Sequence, residues 1–190
     1  MTCNSAYTLC TLNEEYWKRA LERVEKNPIY DGSHRQGMAN QVGFLGEIVA
    51  EKWFSKHCIP FQHEDVTKHD YIICNKITLD VKTKDRTVAP KINYDNSVPL
   101  YNHNHQRPDY YLFISLLRDK SFDQTDIRRF THAYIVGAID IATLDDKAKK
   151  WEAGDIDPDN GTKFWTACLN VNMADLTPLS EVKKIWLSSC

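Results

Sequence analysis

The sequence lacks the features that define several classes of protein. It has no apolar run near the roughly 18–20 residues that cross a bilayer. Met1 to Cys10 lacks the basic start and apolar core of a secretory signal. The six cysteines are scattered without a C-x-x-C pair, which argues against a zinc ribbon and a disulfide framework. We therefore expect reduced thiols, no membrane segment, and a location in the cytoplasm of a cell, an infected host cell included.

A large excess of positive charge is missing as well. The formal net charge of −2 argues against a protein that coats nucleic acid through bulk charge, although a local basic groove stays compatible with it. The length of 190 residues, 42% of them hydrophobic, suits a well-cored globular protein. We expect one domain over residues 1–190, with an N-terminal helix and loop (1–37), a core (38–138) and a C-terminal helix and strand extension (139–190).

Hydrophobic periodicity predicts the main elements. Apolar side chains at helical spacing predict one helix over Asn13 to Lys26 and a second over Met38 to His57. Gly43 and Gly46 fall inside the second helix, and because glycine destabilises a helix by about 1 kcal/mol relative to alanine, they indicate close approach to a neighbouring element. Strands are predicted over Tyr71–Cys74, Ile77–Lys82, Tyr110–Leu117, Ala133–Ala138 and Phe164–Val171. This order of elements indicates an α/β or α+β fold.

The strand that begins at Ile77 carries an acid and a lysine two residues apart. Asp80 and Lys82 therefore share one face of that strand. A further acid, Asp70, stands at the head of the preceding strand. Two carboxylates and an ammonium on one patch are unfavourable unless a divalent cation and an anionic substrate complete the charge balance. The pattern is typical of metal-dependent phosphodiester cleavage, and a solvated cross-strand charge pair is the simpler alternative for Asp80 and Lys82.

The turn between these strands decides whether the two acids meet. A two-residue turn at Asn75-Lys76 would pair Asp70 with Val81 and point it away from Asp80. A three-residue turn that adds Cys74 pairs Asp70 with Asp80 on one face, and asparagine tolerates the left-handed conformation that such turns need. Cleavage chemistry at this hairpin therefore predicts a turn with an odd number of residues, or a bulge.

Gly46-Glu47 on the second helix, Asp70 and Asp80-Val81-Lys82 together resemble the PD-(D/E)XK nuclease superfamily. The match covers about residues 38 to 138, with His69 where the family name has proline. The resemblance implies a restriction-endonuclease-like core, in which helices flank a central mixed β-sheet.

The resemblance also implies the roles of the motif residues. Asp70, Asp80, Glu47 and the backbone carbonyl of Val81 would hold Mg²⁺, for which Mn²⁺ is a usual substitute. Lys82 would be the catalytic lysine that positions or activates the attacking water. Glu51, one helical turn beyond Glu47, is the alternative ligand.

Residues beyond the motif are candidates for substrate contact. Lys84 and Arg86 continue the motif strand, and His105 and Gln106 lie in the long polar connection from Thr87 to Pro108. A solvated strand end is the alternative for Lys84 and Arg86. A zinc site at His103 and His105 is a further alternative, but no cysteine pair accompanies it.

These observations lead us to expect a Mg²⁺-dependent endonuclease that acts on DNA, duplex or branched, in a restriction or phage setting. One such site per chain would need a homodimer for a double-strand cut. A non-cleaving nucleic-acid-binding or protein-interaction module with the same fold, and a nuclease directed at RNA, stay open as alternatives.

Overall fold

The computed structural model describes residues 7–27, 38–66, 69–100 and 107–190. Within these ranges the helices are α1 (Glu14–Lys26), α2 (Met38–Lys56), α3 (Ile141–Lys147) and α4 (Leu179–Leu187). The strands are β1 (Thr8–Thr11), β2 (Phe61–Val66), β3 (His69–Ile73), β4 (Ile77–Arg86), β5 (Asp95–Pro99), β6 (Tyr110–Arg118), β7 (Phe130–Asp140), β8 (Lys149–Trp151) and β9 (Cys168–Asn172). Short 3₁₀ helices cover Ile127–Arg129 and Met173–Asp175.

Six strands form one mixed sheet in the order β1-β7-β6-β4-β3-β2. β4 and β6 run parallel, and the other neighbouring pairs of this sheet run antiparallel. Because a hairpin cannot join parallel strands, the chain leaves the sheet after β4 and returns to it at β6. Along that connection β5 pairs with β9, which also pairs with β8 in a three-stranded antiparallel sheet. The chain therefore has a mixed α/β fold in which helices flank a mixed sheet.

The two faces of the six-stranded sheet pack on separate hydrophobic cores. The larger core lies against α1, α2 and α4 and includes the fully buried Phe54 and Trp186. The smaller core lies against α3 and the three-stranded sheet and includes Phe113 and Val171. A polar side chain on the second face therefore lies between the large sheet and the small one.

Gly46 lets the backbone of α2 approach the sheet closely. A Cβ at this position would overlap Oγ1 of Thr83 on β4 and lie 2.9 Å from the Thr83 Cβ. The predicted close approach is therefore confirmed at Gly46. It is wrong at Gly43 as far as the described residues go, because none of them comes within 4 Å of an added Cβ.

The hairpin between β3 and β4 turns on three residues. Its register pairs Ile73 with Ile77 and leaves Cys74 to Lys76 in the turn. Cys74 and Asn75 have φ angles of 52° and 56°, in the left-handed region that asparagine tolerates better than most residues. The prediction of a turn with an odd number of residues is confirmed.

The other predicted elements are present with shifted ends. The two predicted helices correspond to α1 and α2, and four of the predicted strands correspond to β3, β4, β6 and β7. β4 continues to Arg86, beyond the predicted end at Lys82. The strand predicted from Phe164 begins only at Cys168.

Two cysteines differ from the expectation of reduced thiols. Cys74 in the hairpin turn and Cys190 lie at disulfide-bonding distance, with Cα atoms 4.8 Å apart. This separation is within the range of roughly 4.4–6.8 Å usual for disulfides. The prediction of reduced thiols is wrong for this pair. The two cysteines are 116 residues apart, so no local spacing pattern indicates that they pair. Cys10, Cys58 and Cys168 are free.

No helix among the described residues is long and apolar enough to cross a membrane. The longest of them, α2, has 19 residues and carries buried acidic side chains at Glu47 and Glu51. The cytoplasmic location stays a prediction.

Candidate active site

Asp80 and Lys82 lie on β4, in the interior of the six-stranded sheet. Their neighbours Leu79 and Val81 belong to the larger core, so alternation along the strand points Asp80 and Lys82 to the opposite face. Asp80 is only 3% exposed, and Nζ of Lys82 lies 2.6 Å from its Oδ2. The alternative of a solvated charge pair is therefore wrong.

Asp70 lies on β3, opposite Asp80. The paired register of the two strands ends at Tyr71 and Leu79, and continuing it by one residue places Asp70 opposite Asp80. The backbone N–H of Val81 donates a 2.7 Å hydrogen bond to Oδ2 of Asp70. The three-residue turn thus brings the two acids together.

The two acids resist ionisation in this environment. Burial raises the pKa of Asp70 well above its ordinary value, and the charges of Asp80 and Glu47 raise it further, against the Val81 N–H and Lys82. Burial also raises the pKa of Asp80, although the nearby Lys82 ammonium opposes this effect. An added cation would favour the charged form of both acids and so oppose these two shifts.

Glu47 lies on α2 and is 9% exposed. Its Oε2 is 3.0 Å from an Nη1 of Arg23 on α1 and 3.7 Å from Nε2 of His63 on β2. The Glu47 charge raises the pKa of both Asp70 and Asp80, although α2 packs on the Thr83 face of β4, opposite to the face of Asp80. Its role as a ligand stays a prediction.

Glu51 lies one turn further along α2 in different surroundings. Its Oε2 accepts a 2.8 Å hydrogen bond from Arg19, and its Oε1 accepts hydrogen bonds of 2.8 Å from Arg23 and 3.0 Å from the Tyr71 hydroxyl. A carboxylate with both oxygens engaged offers fewer lone pairs to a cation. The geometry therefore favours Glu47 over the alternative ligand Glu51.

Lys84 and Arg86 follow on the same face of β4, where β5 lies close to them. Arg86 donates hydrogen bonds of 2.8 Å to the carbonyl of Asp95 and 3.0 Å to Oγ of Ser115. Nζ of Lys84 lies 3.4 Å from the same Asp95 carbonyl, and burial, with the charge of Arg86, lowers the pKa of Lys84 to about 8. These are half-buried groups rather than a solvated strand end, and their contact with substrate stays a prediction.

The predicted substrate residues His105 and Gln106 lie outside the described residues, and so does His103 of the alternative zinc site. Their roles stay predictions.

Sequence reasoning missed two neighbours of the site. His69 is taken in the sequence analysis only as a departure from the motif. Among the residues that the structure describes, its Nε2 is buried without a hydrogen-bond partner, and the interaction with His69 lowers the pKa of Asp80. Arg23, which lies on α1 and contacts Glu47, is not included in the sequence analysis. His69 could have been identified from the sequence because it directly precedes Asp70. Arg23 could not, because no sequence pattern indicates that α1 packs on α2.

The donor set can be compared with the needs of a cation. Among the side chains that the structure describes, no three of His, Cys, Asp or Glu already surround a common position. The carboxylates have local partners instead: Asp80 has Lys82, Glu47 has Arg23, and Asp70 has a backbone N–H. The set nonetheless fits Mg²⁺ or Mn²⁺ in its donor chemistry, because these ions prefer oxygen ligands and all three side chains offer carboxylate oxygens.

Compared with known proteins, the chain matches no protein-family model and no curated protein. The geometry of the site is therefore the basis for assigning a function.

Proposed function

We propose that this chain is a Mg²⁺-dependent endonuclease that hydrolyses phosphodiester bonds in DNA. The observation that carries the proposal is the pair of acids at the β3–β4 hairpin: the strand register leads to Asp70 opposite Asp80, and the Lys82 ammonium lies 2.6 Å from Asp80. Such a group is unfavourable as a purely structural feature, because burial opposes the ionisation of both acids. A divalent cation and an anionic substrate would supply what is missing.

We further propose that the six-stranded sheet and α2 form a restriction-endonuclease-like core. Support comes from the antiparallel β3–β4 hairpin that carries the acids and from the parallel pairing of β4 with β6. α2 contributes Glu47 from the residue after its close approach to β4 at Gly46. The mixed sheet with flanking helices agrees with what the resemblance implies.

In this proposal the acids bind the cation, and Lys82 acts on the water and the phosphate. Asp70, Asp80, Glu47 and the carbonyl of Val81 would hold the cation. When bound, Mg²⁺ would neutralise charge on the attacked phosphate and lower the pKa of a water molecule. Lys82, held by Asp80, would orient the attacking water or stabilise the charge that develops on the phosphate.

Substrate contacts would come from cations and amides around this face. Lys84 and Arg86 lie on the same face of β4, and His105 and Gln106 belong to the connection before β6. Phosphate contacts of this kind fix the position of nucleic acid without reading its sequence. One site per chain would nick one strand, so a double-strand cut would need a homodimer.

A covalently closed supercoiled plasmid tests the proposal, because a molecule without ends reports only internal cuts. We expect wild type to nick or linearise it with Mg²⁺ and to lose this activity when a chelator removes the metal. Lys82→Ala should cut about 100-fold more slowly or worse, because a group that stabilises developing charge is removed. Lys120→Ala, which changes an exposed lysine, is the matched control and should cut like wild type.

The same assay separates the alternatives. Cleavage of single-stranded RNA but not of plasmid would replace DNA with RNA as the substrate. Binding of Mn²⁺ and DNA without cleavage of either nucleic acid would favour the non-cleaving module. Equal cleavage by wild type and Lys82→Ala would contradict the assigned site.

A further inference from the structure

A network of ion pairs joins α1 to α2 beside the candidate site. Arg23 extends one Nη toward Oε2 of Glu47 at 3.0 Å and the other toward Oε1 of Glu51 at 2.8 Å. The Glu51 side is fixed in turn by Arg19 at 2.8 Å and by the Tyr71 hydroxyl at 3.0 Å. The contact with Glu51 thus fixes one guanidinium nitrogen of Arg23, and the other guanidinium nitrogen contacts Glu47.

The contacts of Glu47 are concentrated on one of its oxygens. Among the described residues, the ion pairs with Arg23 and with His63 are both made by Oε2. A cation that bound Oε1 would therefore leave the Arg23 contact in place. Partners in a second layer around a ligand fix its orientation in this way at many metal sites.

We propose that Arg23 is a positioning residue that orients the Glu47 carboxylate for the divalent cation. The inference rests on the proposed function, in which Glu47, Asp70 and Asp80 bind one cation. It makes α1 part of the site, although α1 carries none of the motif residues. Arginine suits this task because its planar fork can hold two carboxylates in fixed directions.

Arg19 provides a matched control on the same helix. Its ion pair is with Glu51, through Oε2 at 2.8 Å, so it shares the network without contacting the proposed ligand. If the network serves stability alone, Arg19→Gln and Arg23→Gln should act alike on cation binding. If Arg23 positions Glu47, only Arg23→Gln should weaken it.

The test is equilibrium binding of Mn²⁺ to the full chain without substrate, followed by electron paramagnetic resonance of the free ion. Arg23→Gln should weaken binding by about 10- to 100-fold, the usual effect of removing a partner of a metal ligand. Arg23→Lys should recover part of that loss, because it keeps the charge but not the fork. In the Glu47→Gln background, Arg23→Gln should add no further loss, because the effect acts through Glu47. Circular dichroism checks that each variant is folded. Arg23→Lys and the double variant Glu47→Gln/Arg23→Gln also avoid leaving the buried Glu47 carboxylate without its ion pair.

The outcomes separate the inference from the function on which it rests. Wild-type binding that Arg23→Gln leaves unchanged or tightens overturns the positioning role alone. Equal losses in Arg19→Gln and Arg23→Gln, or a further loss in the Glu47→Gln background, also overturn it. If wild type binds no Mn²⁺, the proposed function fails and the inference fails with it.

Discussion

At the residue scale, the contact between Gly46 and Thr83 sets the distance between α2 and the sheet. An added methyl group at Gly46 would overlap the Thr83 side chain, so Gly46→Ala must push the helix and strand apart. We expect a loss of about 1–3 kcal/mol in the free energy of unfolding, as for other overpacked sites. Urea denaturation measures this loss.

Gly43→Ala is the matched control for this substitution. Gly43 lies on the same helix, and no described residue comes within 4 Å of a Cβ added there, so helix propensity should make the substitution stabilising by up to about 1 kcal/mol. If both alanines stabilise the protein, α2 does not lie as close to β4 as described.

Lys84 carries a charge that the fold disfavours. Its pKa is lowered to about 8 by burial, whereas the unfolded chain should have about 10.4. Below pH 8 the folded state therefore bears a disfavoured charge, and this penalty is relieved as the pH rises from about 8 toward 10.4. We expect Lys84→Met to stabilise the protein at pH 7 by about 1–3 kcal/mol, since each pKa unit corresponds to about 1.4 kcal/mol.

The measurement is the difference in unfolding free energy between Lys84→Met and wild type at pH 7 and at pH 9. The advantage of the variant should shrink at the higher pH, where wild type loses the buried charge. Lys120→Met, at an exposed position, should show no such change. A constant advantage at both pH values would mean that Lys84 is not buried as a charged group.

At the scale of elements, the β3–β4 turn sets the register that joins the two acids. Asn75 has φ of 56°, where a β-branched residue is unfavourable by about 1–2 kcal/mol and glycine is not strained. We expect Asn75→Val to be less stable than Asn75→Gly by about that amount in thermal or chemical unfolding. Equal stability of the two variants would show that Asn75 does not adopt the left-handed conformation.

Elements with a clear hydrophobic period could be predicted from the sequence, and polar ones could not. The apolar stripe of α1 and the β-rich segments of β6 and β7 are local signals, and the structure contains these elements. β2 and β5 have mostly polar sequences, FQHEDV and DNSVP. They form strands because β3 and β9 supply their hydrogen-bond partners. Because these partners lie outside the segments themselves, the local sequence does not predict the strands.

At the scale of the whole molecule, the candidate site joins segments that are distant in sequence. The motif predicted the acids, because Asp70 and Asp80 lie on one hairpin whose register follows from its turn. It did not predict that Arg23 would hold Glu47, or that β5 would approach Lys84. These contacts depend on how α1 packs on α2 and how the three-stranded sheet packs on the six-stranded sheet. No local sequence pattern predicts that packing.

The central claim is that the carboxylates of the β3–β4 hairpin form a divalent-cation site, and titration of Mn²⁺ tests it most directly. Asp80→Asn keeps the shape of the side chain but removes its charge, and Glu181→Gln does the same to an exposed acid on α4. Our account predicts that wild type and Glu181→Gln bind Mn²⁺ alike, and that Asp80→Asn binds it at least about 10-fold more weakly. Absence of binding by wild type, or equal binding by all three proteins, would contradict the account.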